Sequence, residues 1–351
     1  MSLPPVKQPK AIALISGGLD SLLAAKAMLE QGVHVEGINF YTGFCVEGHT
    51  HAIRKKDKAK PKRNNALWSA EQLGIKLHIV DIVEEYKDVL INPKHGYGKN
   101  MNPCLDCKIF MVHKAHQWIK ENDFDFIITG EVIGQRPMSQ RKDTMPVVSK
   151  ESGADDLLLR PLCAKNLPET LPEINGWVKR EQLFDFSGRN RKPQMELAKK
   201  FGFEDYAKPA GGCCFLTDEN YSSKLVDLWD ARGSRDYEMD DIMLLKVGRH
   251  LRPNPNYKLI IGREDGENKF LQGYKNTFTS IKMLSCGGPL TLLDGIANDA
   301  DLEFAARITA RFSQGRNDET VTVETRRANG ETKTMDVKPL QPGEILPDWQ
   351  V

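Results

Sequence analysis

The stretch AIALISGGLDS, residues 11–21, decides the fold. Its first five residues are apolar without a break, which reads as a short buried strand of a parallel sheet. Ser16-Gly17-Gly18 follows. Leu22, Ala25 and Leu29 then recur at helical spacing, and Gly32 is placed to end that helix. A strand that turns through two glycines into a helix gathers free backbone N–H groups and the positive end of the helix dipole at one spot. Gly17 and Gly18 let an anion approach the backbone, while Ser16 and Ser21 offer hydroxyl donors to phosphate oxygens. Asp20, in the first turn, suits the dipole and is placed to help hold Mg²⁺ beside a triphosphate. A plain strand-to-helix turn, glycines for geometry and serines for capping, would use the same residues.

Outward from this point the pattern repeats. A strand is expected at 33–41, a helix at 64–73, a strand at 77–83, and a helix from Cys104 to about Asn122 with Ile109, Val112, His116 and Ile119 on one face. The strand 124–129 then ends at Gly130. Alternating strands and helices with right-handed crossovers make an α/β domain with a doubly wound parallel sheet. Residues 135–190 are irregular and read as long active-site loops around a short strand at Leu157–Leu159. Helices near 193–201 and 221–232 bracket AKPAGGCCFLTD, and Gly233-Ser234 marks a boundary. Beyond it, strands are expected at 242–247, 257–262 and 276–284, and a helix at 300–313. A hairpin, 319–326 with 332–338, is closed at Asn329-Gly330 by a type I′ turn. The expected organisation is a disordered tail at 1–9, a catalytic domain at 10–232 and a smaller α+β domain at 235–351.

Composition bounds the function. The 351 residues are 28% charged and 40% hydrophobic, which suits a two-domain chain with a substantial core. Lys plus Arg is 49 against 48 Asp plus Glu, so any nucleic-acid contact must come from a local patch rather than from net charge. RKKDKAKPKR, Arg54 to Arg63, is such a patch, with Lys55, Lys56 and Lys58 in its first half; a solvated loop would have the same composition. No apolar run reaches the ~18 residues of a membrane span, and Met1 to Lys10 lacks a secretory h-region. A soluble, cytoplasmic protein with no membrane partner is expected. Its seven cysteines are odd in number and include Cys104-x-x-Cys107, which points to metal or redox chemistry rather than a disulfide framework.

SGGLDS resembles the PP-loop of the ATP pyrophosphatase superfamily, whose members adenylate a substrate oxygen and release pyrophosphate. No Gly-Lys-Ser/Thr follows it, which argues against phosphoryl transfer of the Walker type. TGEVIGQRPMSQ, Thr129 to Gln140, and LLLRPL, Leu157 to Leu162, resemble the corresponding loops of ThiI-type tRNA 4-thiouridine synthetases. The resemblance covers about residues 10–230. Gly130, at the carboxyl edge of a parallel strand, sits where open α/β folds bind ligands, and Glu131 and Gln135 are expected to face nucleotide or substrate. The bacterial ThiI pattern has further domains before and after this one; with neither expected here, the sulfur source is sought inside the catalytic domain.

Cys104 and Cys107 stand at a helix start, where the dipole is expected to lower their pKa. Cys213 follows Gly211-Gly212. Three thiolates from two segments leave one iron of a [4Fe–4S] cluster open, and PAGGC followed by LTD is similar to the third-ligand segment of cluster-dependent tRNA thiolation enzymes. A persulfide-carrying Cys104–Cys107 pair and a Zn²⁺ site that also takes Cys214 are the alternatives. Cys45, Cys163 and Cys286 read as ordinary thiols, and His49 and His51 as loop residues. KVGRHLRP, Lys246 to Pro253, with the segments after it, resembles the RNA-binding domain of NFACT-type proteins. Arg249, His250, Arg252 and Arg263 are expected near phosphates; Phe270 and Tyr274 either stack a base or pack the core.

The resemblances imply an ATP-dependent tRNA uridine thiolase, with 4-thiouridine favoured. ATP, Mg²⁺ and the cluster are its expected cofactors, and tRNA and a sulfur donor (sulfide or a cysteine desulfurase) its partners. A small-molecule ligase or amidotransferase, and a non-catalytic RNA-binding protein with a nucleotide site, are the competing classes.

Overall fold

The computed structural model describes residues 8–46, 63–207 and 213–351. The basic run up to Lys62, His49, His51, Gly211 and Gly212 lie outside them. Two compact units divide between Cys213 and Cys214.

The first unit is built on strands β1 (Lys10–Leu14), β2 (His34–Tyr41), β3 (Leu77–Asp81), β4 (Phe126–Ile128) and β5 (Leu158–Leu159). All pair in parallel, in the order β3-β2-β1-β4-β5. The chain runs from β1 to one side of the sheet and then returns to place β4 on the other. The switch point therefore lies between the carboxyl ends of β1 and β4, where an open α/β sheet leaves a crevice.

Helix α1 (Leu19–Leu29) crosses one face, with α2 (Asn65–Leu73) beside it. Helices α3 (Val83–Ile91), α4 (Cys104–Glu121) and α5 (Thr144–Glu151) follow, and α6 (Lys192–Lys200) returns to α1. Alternation along β1 assigns its residues to two cores. Ala11 and Ala13 pack with α1, Phe126 and Ile128. Ile12 packs with Val112, Ala115 and Ile119 of α4. His116 falls on the buried side of α4, as the apolar stripe predicts.

The second unit contains α7 (Glu219–Arg232), α8 (Met239–Leu244), β6 (Arg249–Asn254), β7 (Tyr257–Ile261), α9 (Asp265–Leu271), β8 (Thr279–Met283), β9 (Leu290–Gly295), α10 (Asp299–Arg311), β10 (Val321–Arg326) and β11 (Thr332–Val337). The sheet is antiparallel, in the order β11-β10-β8-β9-β7-β6. Leu302, Ala305 and Ala306 of α10 cover one face, and Leu244 and Leu271 of α8 and α9 the other.

Three expectations are corrected here. The expected domain boundary at 233–234 differs from the division at Cys213/Cys214, because α7 is bound into the second unit. Tyr221 Oη donates to Ile242 O at 3.1 Å, and Asp227 accepts from Arg252 and from the buried Lys258. The expected strand at 242–247 is helix α8, started by a capping box between Glu238 and Asp241; a four-residue apolar run has no period that separates the two. The hairpin closes through a three-residue loop, Ala328 to Gly330, between Arg327 and Glu331. Only Gly330 has positive φ, so the turn is the type I plus bulge form rather than I′.

Among the described residues no helix is long and apolar enough to cross a membrane.

Candidate active site

The loop between β1 and α1 is held from behind: Asn39 Nδ2 of β2 donates to Ile15 O at 2.6 Å. Gly17 has φ +77°, and a Cβ there would lie 2.8 Å from the backbone N of Ala66 and from the Asn65 side chain. Both the left-handed backbone and the close approach of α2 therefore demand glycine. Gly18 caps α1 without a side chain, which leaves the helix's first amides uncovered at the sheet edge. Ser21 Oγ donates to Gly18 O at 2.9 Å and lies 3.4 Å from Ser16 Oγ, so the two hydroxyls sit together beside those amides.

Asp20 is the centre of a polar network. Its Oδ2 accepts from Gln135 Nε2 at 2.6 Å and from Arg191 Nη2 at 2.8 Å. Gln135 Oε1 accepts in turn from Gln194 Nε2 at 2.9 Å. Three polar atoms of this network are buried without a partner: Asp20 Oδ1, Arg191 Nε and Gln194 Oε1. Buried polar groups are nearly always satisfied, so three orphans in one network mark where a polar ligand completes it. Gly130 serves the same crevice by its size. A Cβ on it would lie 2.4–2.5 Å from the Asp20 carbonyl and the Ser21 nitrogen, so the end of β4 meets the first turn of α1 only through glycine.

Arg191 and Gln194 were not singled out in the sequence. A parallel bridge from Ile133 to Ser187 and the bond from Gly188 N to Ile133 O bring SGRNRKPQ beside the 130–140 loop. The available signal was that Gly/Asn turn, rich in arginine and followed by a proline-started helix.

Glu131 turns elsewhere. Only 1% exposed, it accepts from Thr129 Oγ1 at 2.8 Å and from Arg160 Nε at 3.2 Å, with Lys108 Nζ of α4 at 3.9 Å. Burial works to raise its pKa, but Lys108, Arg160 and the Thr129 hydroxyl outweigh it and hold the carboxyl below its ordinary value. Glu131, expected to face nucleotide or substrate, binds the Arg160 of LLLRPL through Oε2 and lies near Lys108 of the cysteine helix, and its Oε1 is buried without a hydrogen-bond partner.

Cys104 and Cys107 open α4, Cys213 acts electrostatically on both of them, and Cys104 acts on Cys107. The expected depression of their pKa does not hold. Burial dominates, pushing Cys104 up to about 11 and Cys107 up to about 12, the Cys213 charge adding to both. Arg136, next in sequence to Gln135, acts on Cys104 in the opposite sense. One loop thus reaches the phosphate loop with residue 135 and the thiols with residue 136. Cys45, read from the sequence as an ordinary thiol, also lies within electrostatic reach of Cys107. Among the described residues no three His, Cys, Asp or Glu side chains converge as they would on a single ion. The Cys104, Cys107 and Cys213 trio is nevertheless a soft donor set of the kind an iron–sulfur cluster takes, and a cluster spreads its thiolates wider than one ion does.

In the second unit, one of the four residues expected near phosphate, Arg249, is exposed and has no acidic partner among the described residues. His250 is buried and bound to Val247 O at 3.0 Å; burial, then the Lys224 and Lys258 charges, hold its pKa well below the ordinary value. Arg252 is bound to Asp227, and Arg263 to Glu267. Arg249 is exposed, its guanidinium 5.0 Å over the Phe312 ring. Phe270 and Tyr274 pack on each other against the core under α8 and α9, so the packing reading holds for them.

A parallel 3-2-1-4-5 sheet that carries SGGLDS at its switch point defines a PP-loop α/β protein. The chain belongs to the ThiI family: residues 6–216, more than half of it, match the family model described as "Thiamine biosynthesis protein (ThiI)". Residues 248–350 match the NFACT protein RNA binding domain. Among curated proteins the chain is 25% identical over 253 residues to a tRNA-specific 2-thiouridylase MnmA of Malacoplasma penetrans, covering 69% of this chain and 65% of that protein. It is 30% identical over 163 residues to a probable tRNA sulfurtransferase of Thermococcus kodakarensis, covering 46% and 38%. The chain thus spans less than two thirds of the length of either relative. A solved 4-thiouridine synthetase–RNA complex with bound ATP is similar at 22% identity and a TM-score of 0.40, over 68% of this chain and 52% of that one.

Proposed function

We propose that this protein is an ATP-dependent tRNA uridine thiolase, with C4 of uridine as the target. The observation that carries the reading is the Asp20–Gln135–Arg191 network with its orphaned atoms, set against the open amides of α1 and one residue of loop away from the thiols. ATP lies with its phosphates on the amides of the Ser16–Ser21 loop and the two serine hydroxyls. Asp20 Oδ1 offers a hard oxygen to the Mg²⁺ that accompanies a triphosphate, and Arg191 offers charge to a phosphate oxygen. Gly130 and Gln135 keep the crevice in shape.

The chemistry follows from leaving groups. A uridine carbonyl oxygen is not displaced by sulfur directly. Attack of that oxygen on the α-phosphate expels pyrophosphate and leaves an adenylated base, and sulfur then adds at the carbon and AMP departs. Fixed donors at the phosphates stabilise the charge that develops there. Cys104, Cys107 and Cys213 would hold a [4Fe–4S] cluster, which when bound supplies nucleophilic sulfur chemistry at the activated base. The second unit holds the RNA, consistent with the match over 248–350, and a tRNA substrate puts the protein in the cytoplasm. Choice of C4 over C2 rests on the family match, since the relatives named above include a 2-thiouridylase.

The test is tRNA-dependent pyrophosphate release with sulfide as donor. The wild type should release pyrophosphate only with tRNA, and Asp20→Ala should lose that release while still folding. Release that persists in Asp20→Ala sinks the mechanism. If the wild type is active only with a cysteine desulfurase and carries no iron, the persulfide pair replaces the cluster.

A further inference from the structure

The second unit carries an open groove of about 620 Å³ that the reading above does not use. Four arginines line it, Arg249, Arg263, Arg311 and Arg316, and no carboxylate residue does. Arg263 is neutralised by Glu267, at 2.9 Å. The other three have no acidic partner within ion-pair distance among the described residues, in a chain whose charges otherwise balance to +1. Local structure explains how three unpaired guanidinium groups come together. Arg311 ends α10, and the chain then turns tightly: Ser313 N donates to Ala310 O at 3.0 Å and Gln314 N to Gly287 O at 2.8 Å. That second bond ties the turn to the Gly287-Gly288 segment, where a side chain would collide: a Cβ on Gly288 would lie 2.4 Å from Met283. Arg316 follows the turn, and β6 brings Arg249 from the sheet edge to lie over Phe312.

Like charges lining one groove repel one another, and no carboxylate stands among the lining residues to offset them. Their natural complement is a run of anions. A guanidinium fork matches phosphate oxygens in pairs, and one laid over an aromatic ring is already ordered. The exposed glycines at 287 and 288 put no side chain between groove and ligand. We propose that this groove binds the sugar–phosphate backbone of RNA, with Arg249, Arg311 and Arg316 each contacting a phosphate and Arg263 framing the site. The proposal rests on the tRNA reading and deepens it, because the groove lies within the segment that matches an RNA-binding domain.

The experiment is a salt titration of tRNA affinity with the full chain. Each lost phosphate contact should flatten the slope of log affinity against log salt by roughly 0.7–0.9. Arg311→Gln/Arg316→Gln should therefore lower the slope by about 1.4–1.8, with unchanged melting. Lys333→Gln/Lys338→Gln, which removes the same charge from β11 at the far edge of the sheet and just past it, should leave the slope alone. Wild-type binding with an unaltered slope in the arginine variant overturns the groove while the thiolase reading stands. A wild type that binds no tRNA overturns both. Inorganic tripolyphosphate is the second probe. If it stabilises the wild type but not the arginine variant, and the tRNA slopes are equal, the groove takes a small phosphate ligand and the RNA proposal fails.

Discussion

Gln135 Nε2 donates to Asp20 Oδ2 at 2.6 Å, joining the loop after β4 to the first turn of α1 across 115 residues of chain. Arg191 reaches the same oxygen from a third segment, at 2.8 Å. A carboxylate with two donors on one oxygen is aimed by them, so the free oxygen is presented rather than merely present. A hydrogen bond to a charged group contributes about 1.5–3 kcal/mol. Gln135→Ala and Arg191→Ala should each weaken adenylation by roughly 10- to 100-fold, read as pyrophosphate release at varied ATP. Arg191→Ala should act chiefly on KM for ATP, since it also removes charge from the phosphates. Wild-type kinetics in both variants would show that the network is structural only.

Gly130→Ala tests the closeness of β4 and α1. The new methyl would overlap the backbone of Asp20 and Ser21, and backbone cannot swing aside as a long side chain can. Overpacking of this kind costs about 1–3 kcal/mol, so the melting midpoint should fall. ATP binding, followed by calorimetry, should be lost out of proportion to the stability change, because the displaced turn is the one that presents the amides.

Glu131 gives a pH-dependent signature. Its folded pKa lies below the ordinary value, so its stabilising contribution is complete above about pH 4.3, the ordinary glutamate pKa. It fades as pH falls through the lower folded value. Glu131→Gln leaves Arg160 and Lys108 without their counter-charge in a buried place, which costs about 3 kcal/mol at neutral pH. Urea unfolding of both proteins should show that gap narrowing as pH drops below about 4, since protonated Glu131 no longer differs in charge from glutamine. A gap independent of pH would mean that packing, not charge, sets the cost.

The sheet and its switch point were legible because strand and helix periods were clean in residues 11–41 and a glycine pair lay between them. Short apolar runs were less readable: residues 242–245 hold no full period, and the capping box from Glu238 to Asp241 decides for helix. Of the site, the residues whose type is demanded by backbone geometry were recoverable, Gly17 and Gly130 above all. Arg191 and Gln194 were not, because their role comes from the bridge between Ile133 and Ser187, a pairing across an irregular region with no local signature. Direction was the other loss. Sequence placed Glu131 at the right edge but could not show that the buried Arg160 and the partly buried Lys108 draw it inward. The same holds for His250 and Arg252, whose strand carries them into burial or onto Asp227.

The cysteines separate a free persulfide carrier from a metal centre by what each would need from burial. Cys107 is raised to about 12 and Cys104 to about 11, so neither is ionised at neutral pH without a cation to hold the thiolate. A free persulfide carrier needs an accessible low-pKa thiol, whereas a metal centre supplies the missing positive charge itself. If that centre is the proposed cluster, the chain should contain about four irons with matching acid-labile sulfide after anaerobic purification. Cys104→Ala, Cys107→Ala and Cys213→Ala should each lose them. Cys214→Ala and Cys45→Ala should retain iron, although Cys45 lies near Cys107, because three ligands leave the open iron that sulfur transfer requires. Loss of iron in Cys45→Ala would make it a fourth ligand and close that position. An iron-free wild type that reacts quickly with iodoacetamide at pH 7 would reject the cluster and return the pair Cys104–Cys107 to persulfide chemistry.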